Sequence, residues 1–255
     1  MDTKFDMTIA ANYHSNAQIA RVLTENWVAE NMFCPRCGNF QIKQFSNNKP
    51  VADFYCPKCK NQFELKSKAG SFSHKINDGA YDTMILRITS NQNPDFFLMN
   101  YSRTENCVKD LTRVPKHFFV PEIIEKRKPL SENSRRAGWV GCNIIIDKIP
   151  EQGKIKIISE GIFQDKNMVL KDVKKGELLI EKNISSRSWL MDILNIVNSI
   201  NNEYFALDEL YLYKDFLADK HPDTHNILPK IRQQLQVLRD KGFIEFLGRG
   251  KYRKL

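Results

Sequence analysis

Apolar positions in the stretch SNAQIARVLTENWVAEN, residues 15–31, fall at Ile19, Val22, Leu23, Trp27 and Val28, a helical spacing behind a Ser or Asn cap. Downstream the period shortens. PVADFYC and NQFELKSK read as short strands on either side of a CPKC turn, with Pro50 suited to a strand start. INDGAYDTMILRITS, residues 76–90, reads as a second helix, and the dense apolar run DFFLMNYS at 95–102 as a buried strand. The expected order is therefore helix, strand, strand, helix, strand. After HFFVPEIIEKRKPL, the segment SENSRRAGWVGCNIIIDKIP offers a helix start, a Gly-Trp-Val-Gly turn and another strand, and the pattern weakens across GIFQDKNMVLKDVKKGELL.

Beyond about residue 183 the character changes to evenly spaced helical segments, RSWLMDILNIVNSI, ALDELYLYKDFLADK and HNILPKIRQQLQVLRDKG, closed by FIEFLGRGKYRKL. Three helices followed by a Gly-containing hairpin make a winged-helix pattern. A chain of 255 residues has room for two cores, and the expected division is 1–182 and 183–255. The fold class expected is α/β (α+β), with a C-terminal winged-helix domain.

Charge narrows the partners. Thirty-nine Lys+Arg against 30 Asp+Glu leave a formal net charge of +9, which favours nucleic acid ahead of an acidic membrane surface, although a merely basic soluble protein would carry the same excess. No apolar run approaches the roughly 20 residues of a membrane span and no leader pattern opens the chain, so a cytoplasmic protein with no membrane partner is expected.

Four of the six cysteines form two Cys-x-x-Cys pairs, Cys34/Cys37 and Cys56/Cys59, at the spacing of a four-thiolate zinc site. Four thiolates leave no open position for water, so such a metal is structural. A redox pair or two separate buried thiol pairs is the competing reading. Cys107 and Cys142 are expected to be buried small apolar residues, and the five scattered histidines, His14, His74, His117, His221 and His225, surface or capping groups.

The second cysteine pair separates Asp53 from Glu64-Leu65-Lys66. On a strand, Glu64 and Lys66 project from one face, and pairing with the strand of Asp53 would bring both carboxylates to one hard cation such as Mg2+. The Leu65 carbonyl could add a ligand, and Lys66 could orient or activate water. The apolar neighbours Val51, Phe54, Phe63 and Leu65 suit a buried strand pair. The zinc knuckle would then be an insertion at the turn joining two catalytic strands. Asp followed after a gap by Glu-x-Lys resembles the PD-(D/E)xK nuclease superfamily, with Ala52 standing where that pattern usually has proline. No His-Glu-x-x-His, P-loop or nucleophile-elbow serine is present.

DNA-contact candidates lie in both halves. Lys230, Arg232, Gln233 and Gln234 are on the third helical segment, with Gln236, Arg239 and Lys241 farther along, and Arg249 and Lys251 are on the hairpin, together with Arg253 and Lys254. A winged helix used for protein contact is the alternative. In the first half, Arg135, Arg136 and Trp139 could hold phosphate, guanine or a stacked base, with a core role for the tryptophan as the alternative. Lys68 and Lys75 are further phosphate candidates.

NNKPVADFYCPKCKNQFELKSK, INDGAYDTM, RRAGWVGCNI and KIRQQLQVLRDKGFIEFLGRGKYRKL together closely resemble the methyl-directed restriction endonucleases. The resemblance implies a monomeric, Mg2+-dependent type II (IIM) enzyme that cuts duplex GATC carrying N6-methyladenine, leaving blunt ends. It also implies catalysis by Asp53, Glu64 and Lys66, zinc on Cys34, Cys37, Cys56 and Cys59, methyladenine recognition at Trp139, and separate methyl sensing by the winged helix. Its setting would be a bacterium that lacks this methylation and destroys incoming methylated DNA. The contrasting reading from the residues is a zinc-containing DNA-binding regulator without catalysis.

Overall fold

A computed structural model describes residues 2–46 and 52–255; the expected strand start at Pro50 and the apolar neighbour Val51 lie outside the described residues. Two compact units divide between Glu177 and Leu178.

In the first unit the elements are α1 (Asn16–Asn31), β1 (Lys43–Gln44), β2 (Phe54–Tyr55), β3 (Gln62–Ala69), β4 (Lys75–Ala80) and α2 (Tyr81–Thr89). They are followed by β5 (Asp95–Ser102), β6 (Cys107–Val114), β7 (Ile124–Lys126), β8 (Gly141–Ile145), β9 (Ile155–Ser159), β10 (Ile162–Phe163) and α3 (Lys166–Glu177). Helix α1 buries Leu23, Trp27 and Val28, the stripe its spacing predicts. The main sheet has the order β1-β2-β3-β5-β6-β9-β10, and among the described residues its β3–β5 pair is parallel and its other pairs antiparallel. A second sheet runs β4-β8-β7. The result is a mixed α/β domain built on one large sheet.

Strand β3 alternates as its sequence predicts. Phe63 is buried and stacks on Phe97 of β5 with ring centres 4.7 Å apart, while Glu64 and Lys66 project to the other face, level with Phe96 and Leu98.

The structure departs from the sequence reading at several elements. Residues 76–80 form a strand, and only Tyr81–Thr89 is helical. INDGA couples weak helix formers to a distant strand partner, β8, which supplies the hydrogen bonds that a local reading assigns to a helix. The weakly patterned stretch after residue 160 contains α3, whose first turn is capped by Asp165, an acceptor for the Asn167 and Met168 N–H groups. The segment 131–139 forms successive turns and starts no helix.

Two histidines are also inside. His117 is buried against Phe118, with Nε2 3.0 Å from the Gly176 carbonyl, and His221 is buried against Trp189, with Nε2 2.9 Å from Asp192. Cys107 and Cys142 are buried, as expected.

Where β5 begins, Asp95 is 2% exposed and accepts from Arg113 Nε and Nη2 (3.0 and 2.7 Å), Asn61 Nδ2 (2.7 Å) and the Lys116 N–H (2.8 Å). Burial opposes its charge, but Arg113 and the other donors outweigh burial and hold the carboxyl below the usual aspartate range. A lowered folded-state value means that this contribution to stability is complete above the unfolded-state pKa, near 3.8, and is lost as the pH falls through the lower folded-state value. Asp95→Ala, which leaves Arg113 buried without its counter-charge, is expected to cost about 3–5 kcal/mol. Denaturant titration at neutral pH checks this; a loss below about 1 kcal/mol would remove the pair from the fold's essential contacts.

The second unit contains α4 (Ile184–Ser199), β11 (Tyr204–Ala206), α5 (Leu207–Tyr211), α6 (Lys214–Lys220), α7 (Ile227–Asp240), β12 (Ile244–Gly248) and β13 (Lys251–Lys254). Asn183 caps α4 by accepting from Ser185 and Ser186. The expected middle helix is two short helices preceded by a strand, and β11-β13-β12 form one antiparallel sheet.

Candidate nuclease site, thiol cluster and DNA-facing surfaces

The two cysteine pairs are carried by copies of one turn. In CPRCGN, Cys34 N–H donates to the Asn39 carbonyl and Gly38 N–H to the Cys34 carbonyl; in CPKCKN, Cys56 N–H donates to Asn61 and Lys60 N–H to Cys56, all at 2.8–2.9 Å. Both turns need a left-handed residue at the fifth position, met by Gly38 (φ 76°) and by Lys60 (φ 61°). Each turn presents both of its sulfurs, and the four Sγ atoms lie within 4.8 Å of one another. The Cys34–Cys59 and Cys37–Cys56 sulfurs are 3.6 Å apart. Thiolates about 2.3 Å from a tetrahedral zinc stand about 3.8 Å apart, so the cluster could hold zinc. The second turn joins β2 directly to β3.

At the edge of that hairpin lies Asp53. Its N–H donates to the Phe63 carbonyl, and its Oδ2 accepts from the Leu65 N–H at 2.7 Å, where regular β2–β3 pairing has ended. The carboxylate is thereby fixed beside the Glu64–Lys66 face. Glu64 Oε1 is 2.6 Å from Lys66 Nζ, and both side chains are more than four-fifths buried.

Sequence reasoning missed one member of this cluster. Asp78, on β4, ion-pairs with Lys66 and accepts from the Gly79 N–H at 2.7 Å. Burial, reinforced by the neighbouring Asp78 and Asp53 charges, pushes the Glu64 carboxyl up despite Lys66. Burial works against the Lys66 charge, but Glu64 and Asp78 outweigh it and hold the ammonium above the usual lysine range. Cys142 lies near the same acids; burial, then Asp78, pushes its thiol up to about 12.

Trp139 ends a loop closed by two hydrogen bonds, Leu130 N–H to the Trp139 carbonyl (2.9 Å) and Gly138 N–H to the Leu130 carbonyl (3.0 Å). Its ring is half-buried, with the Arg136 guanidinium 4.5 Å from the ring centre. A Cβ at Gly141 would come within 2.8 Å of the ring carbons, so glycine is what lets the indole lie against β8. Arg135 and Arg136 are exposed. Lys68 is exposed and Lys75 pairs with Glu125 at 2.8 Å.

In the second unit, α7 buries Ile227, Ile231, Gln234, Leu235 and Leu238. Gln234 therefore faces inward, its place three residues after Ile231 and seven after Ile227 putting it in the apolar stripe, and is corrected from a base-reading position. Arg232, Gln233 and Gln236 are exposed, and Lys230 is half-buried with Nζ on the Gln233 amide at 2.8 Å. Arg249 and Lys251 are exposed on the β12–β13 hairpin, whose turn has positive φ at Gly248, Arg249 and Gly250. Elsewhere the basic groups are engaged: Arg239 with Asp240, Lys241 with Glu181, and Arg253 with Glu245. Among the described residues no helix is long and apolar enough to cross a membrane.

A mixed α/β domain with a buried acid–lysine cluster beside four gathered thiols, followed by a basic helix-turn-helix domain, is the architecture of an enzyme that acts on DNA. Residues 1–182 match the Dam-replacing family, DpnI, and residues 185–254 match the Dam-replacing HTH domain. The chain belongs to the DpnI family, and this membership indicates a methylation-dependent restriction enzyme.

Proposed function

We propose that the protein is a type II (IIM) endonuclease that cleaves double-stranded DNA at GATC carrying N6-methyladenine, by divalent-metal-dependent phosphodiester hydrolysis that leaves blunt ends. The observation that carries the chemistry is the meeting of Asp53, fixed by the Leu65 N–H, with the buried Glu64–Lys66 pair at the end of the β2–β3 hairpin. In this reading the three groups form a PD-(D/E)xK site.

The donor set fits a hard cation: Asp53 and Glu64 offer carboxylate oxygens, and the Leu65 carbonyl a neutral one. A bound Mg2+ would stabilise negative charge on the phosphate and lower the pKa of an attacking water. Lys66, whose ammonium meets Glu64 and Asp78, would orient or activate the water, or hold a phosphate oxygen, through its hydrogen bonds. Cys34, Cys37, Cys56 and Cys59 would hold a structural zinc that fixes the hairpin carrying these groups.

Recognition is assigned to two places. Trp139, with the Arg136 guanidinium at its ring and Arg135 exposed on the same loop, offers an aromatic surface for a methylated adenine, and α7 with the hairpin residues Arg249 and Lys251 offers Lys230, Arg232 and Gln233 to the duplex. Burying one methyl contributes about 1 kcal/mol, so two separate checks multiply a selectivity that one pocket could not supply. The active unit in this reading is a monomer.

The test is one plasmid prepared with and without GATC adenine methylation, incubated with Mg2+ and the full chain, with the ends mapped. Cutting only of the methylated form, flush within GATC, is expected. Cutting of both forms would discard methyl dependence, and binding without cutting would favour a DNA-binding regulator.

A further inference from the structure

Asp78 has no part in the pattern that links Asp53, Glu64 and Lys66, yet its side chain is more buried than that of Glu64 or Lys66. Its side chain is 6% exposed, and its carboxylate meets both the Lys66 ammonium and the Gly79 N–H. Strand β4 bulges at this point: Asp78 pairs with Cys142 and Ala80 with Gly141, leaving Gly79 unopposed. Such bulges redirect a side chain at the cost of a ladder bond. Here the side chain so directed is an acid facing a lysine on another sheet.

Lys66 is thus gripped by two carboxylates with different duties. Glu64, on the same strand, is the one whose oxygens suit a divalent cation, and its charge would be shared with that cation. Asp78 reaches Lys66 from β4. It can keep the end of a flexible four-carbon stem in place when the hold of Glu64 weakens.

We infer that Asp78 is a positioning residue, acting through Lys66 to keep its ammonium at the reacting phosphate. This role rests on the nuclease reading above. It predicts that Asp78 and Lys66 act as one unit, so that removing both costs no more than removing Lys66 alone.

The experiment is Mg2+-dependent nicking of supercoiled methylated plasmid, a readout sensitive to residual rates, for the full chain and for Asp78→Asn, Asp78→Ala, Lys66→Ala, Glu64→Ala and the Asp78→Ala/Lys66→Ala double variant. Duplex affinity in Ca2+ reports intact folding and binding. Asp78→Ala is expected to slow nicking by about 10–100-fold, the scale of other outer-shell partners, with duplex affinity and Mg2+ half-saturation unchanged and no added loss in the Lys66→Ala background. If Asp78→Ala fails to bind duplex, Asp78→Asn, which keeps the shape and an acceptor for the Gly79 N–H, carries the same comparison. A full rate in the Asp78 variants while Glu64→Ala is inactive would overturn this inference alone. A full rate in Glu64→Ala would overturn the nuclease reading beneath it. Additive losses with a raised Mg2+ requirement would make Asp78 a metal ligand and also overturn the positioning role.

Discussion

Asp53→Ala is expected to lower the single-turnover rate of cleavage at least about 10³-fold while duplex affinity stays within a few-fold. The size follows from what an acid in this position supplies: stabilisation of phosphate charge through a bound cation is worth several kcal/mol, and about 4 kcal/mol is a factor of 10³. Asp53 is also a structural acceptor for the Leu65 N–H, so alanine alone confounds two losses. Asp53→Asn separates them, because an amide oxygen still accepts that hydrogen bond at 2.7 Å but carries no charge. Both variants should be inactive, with the asparagine form melting close to the parent. An active asparagine variant would show that Asp53 serves the strand pairing and leave Glu64 without its partner acid.

The second large effect concerns the thiols. Stoichiometric zinc is expected in the purified protein, and its removal should unfold the first unit. Structural zinc contributes roughly 10 kcal/mol or more at neutral pH, comparable with the roughly 5–15 kcal/mol that stabilises an entire domain. Cys56→Ser should therefore lose both metal and the folding transition of residues 1–177, as read by metal analysis and calorimetry. Cys107→Ala provides the contrast, since Cys107 is buried outside the cluster. That variant should keep its zinc and melt only modestly lower. A metal-free protein with an unchanged transition would reduce the cluster to four packed thiols.

The parts of the site legible in the sequence are those whose geometry is local. Two Cys-x-x-Cys turns fix their own sulfurs, and strand alternation alone puts Glu64 and Lys66 on one face. Asp78 was hidden because Ile76, Ala80 and Met84 repeat every fourth residue and imitate a helix, whereas the strand that claims residues 75–80 pairs with residues 141–145, some 60 positions away. Non-local hydrogen bonding decided between two local readings. Gln234 failed for a related reason: three glutamines in RQQLQ look alike, and only the packing of Ile231, Leu235 and Leu238 shows which one turns inward. The Asp165 cap was a readable signal for α3 that the sparse apolar pattern of that helix obscured.

The four thiols have a further consequence for the order in which the chain takes shape. All of them lie within residues 34–59, so the cluster is complete once that stretch has left the ribosome, whereas β5, the parallel partner of β3, begins only at Asp95. Short loops close at small entropic cost, and local contacts form early. A metal captured at that stage would clamp the turn between β2 and β3, leaving the stretch of β3 that carries Glu64 and Lys66 to find its partner when β5 arrives. Zinc present during synthesis would then be expected to give more folded protein than the same zinc added afterwards.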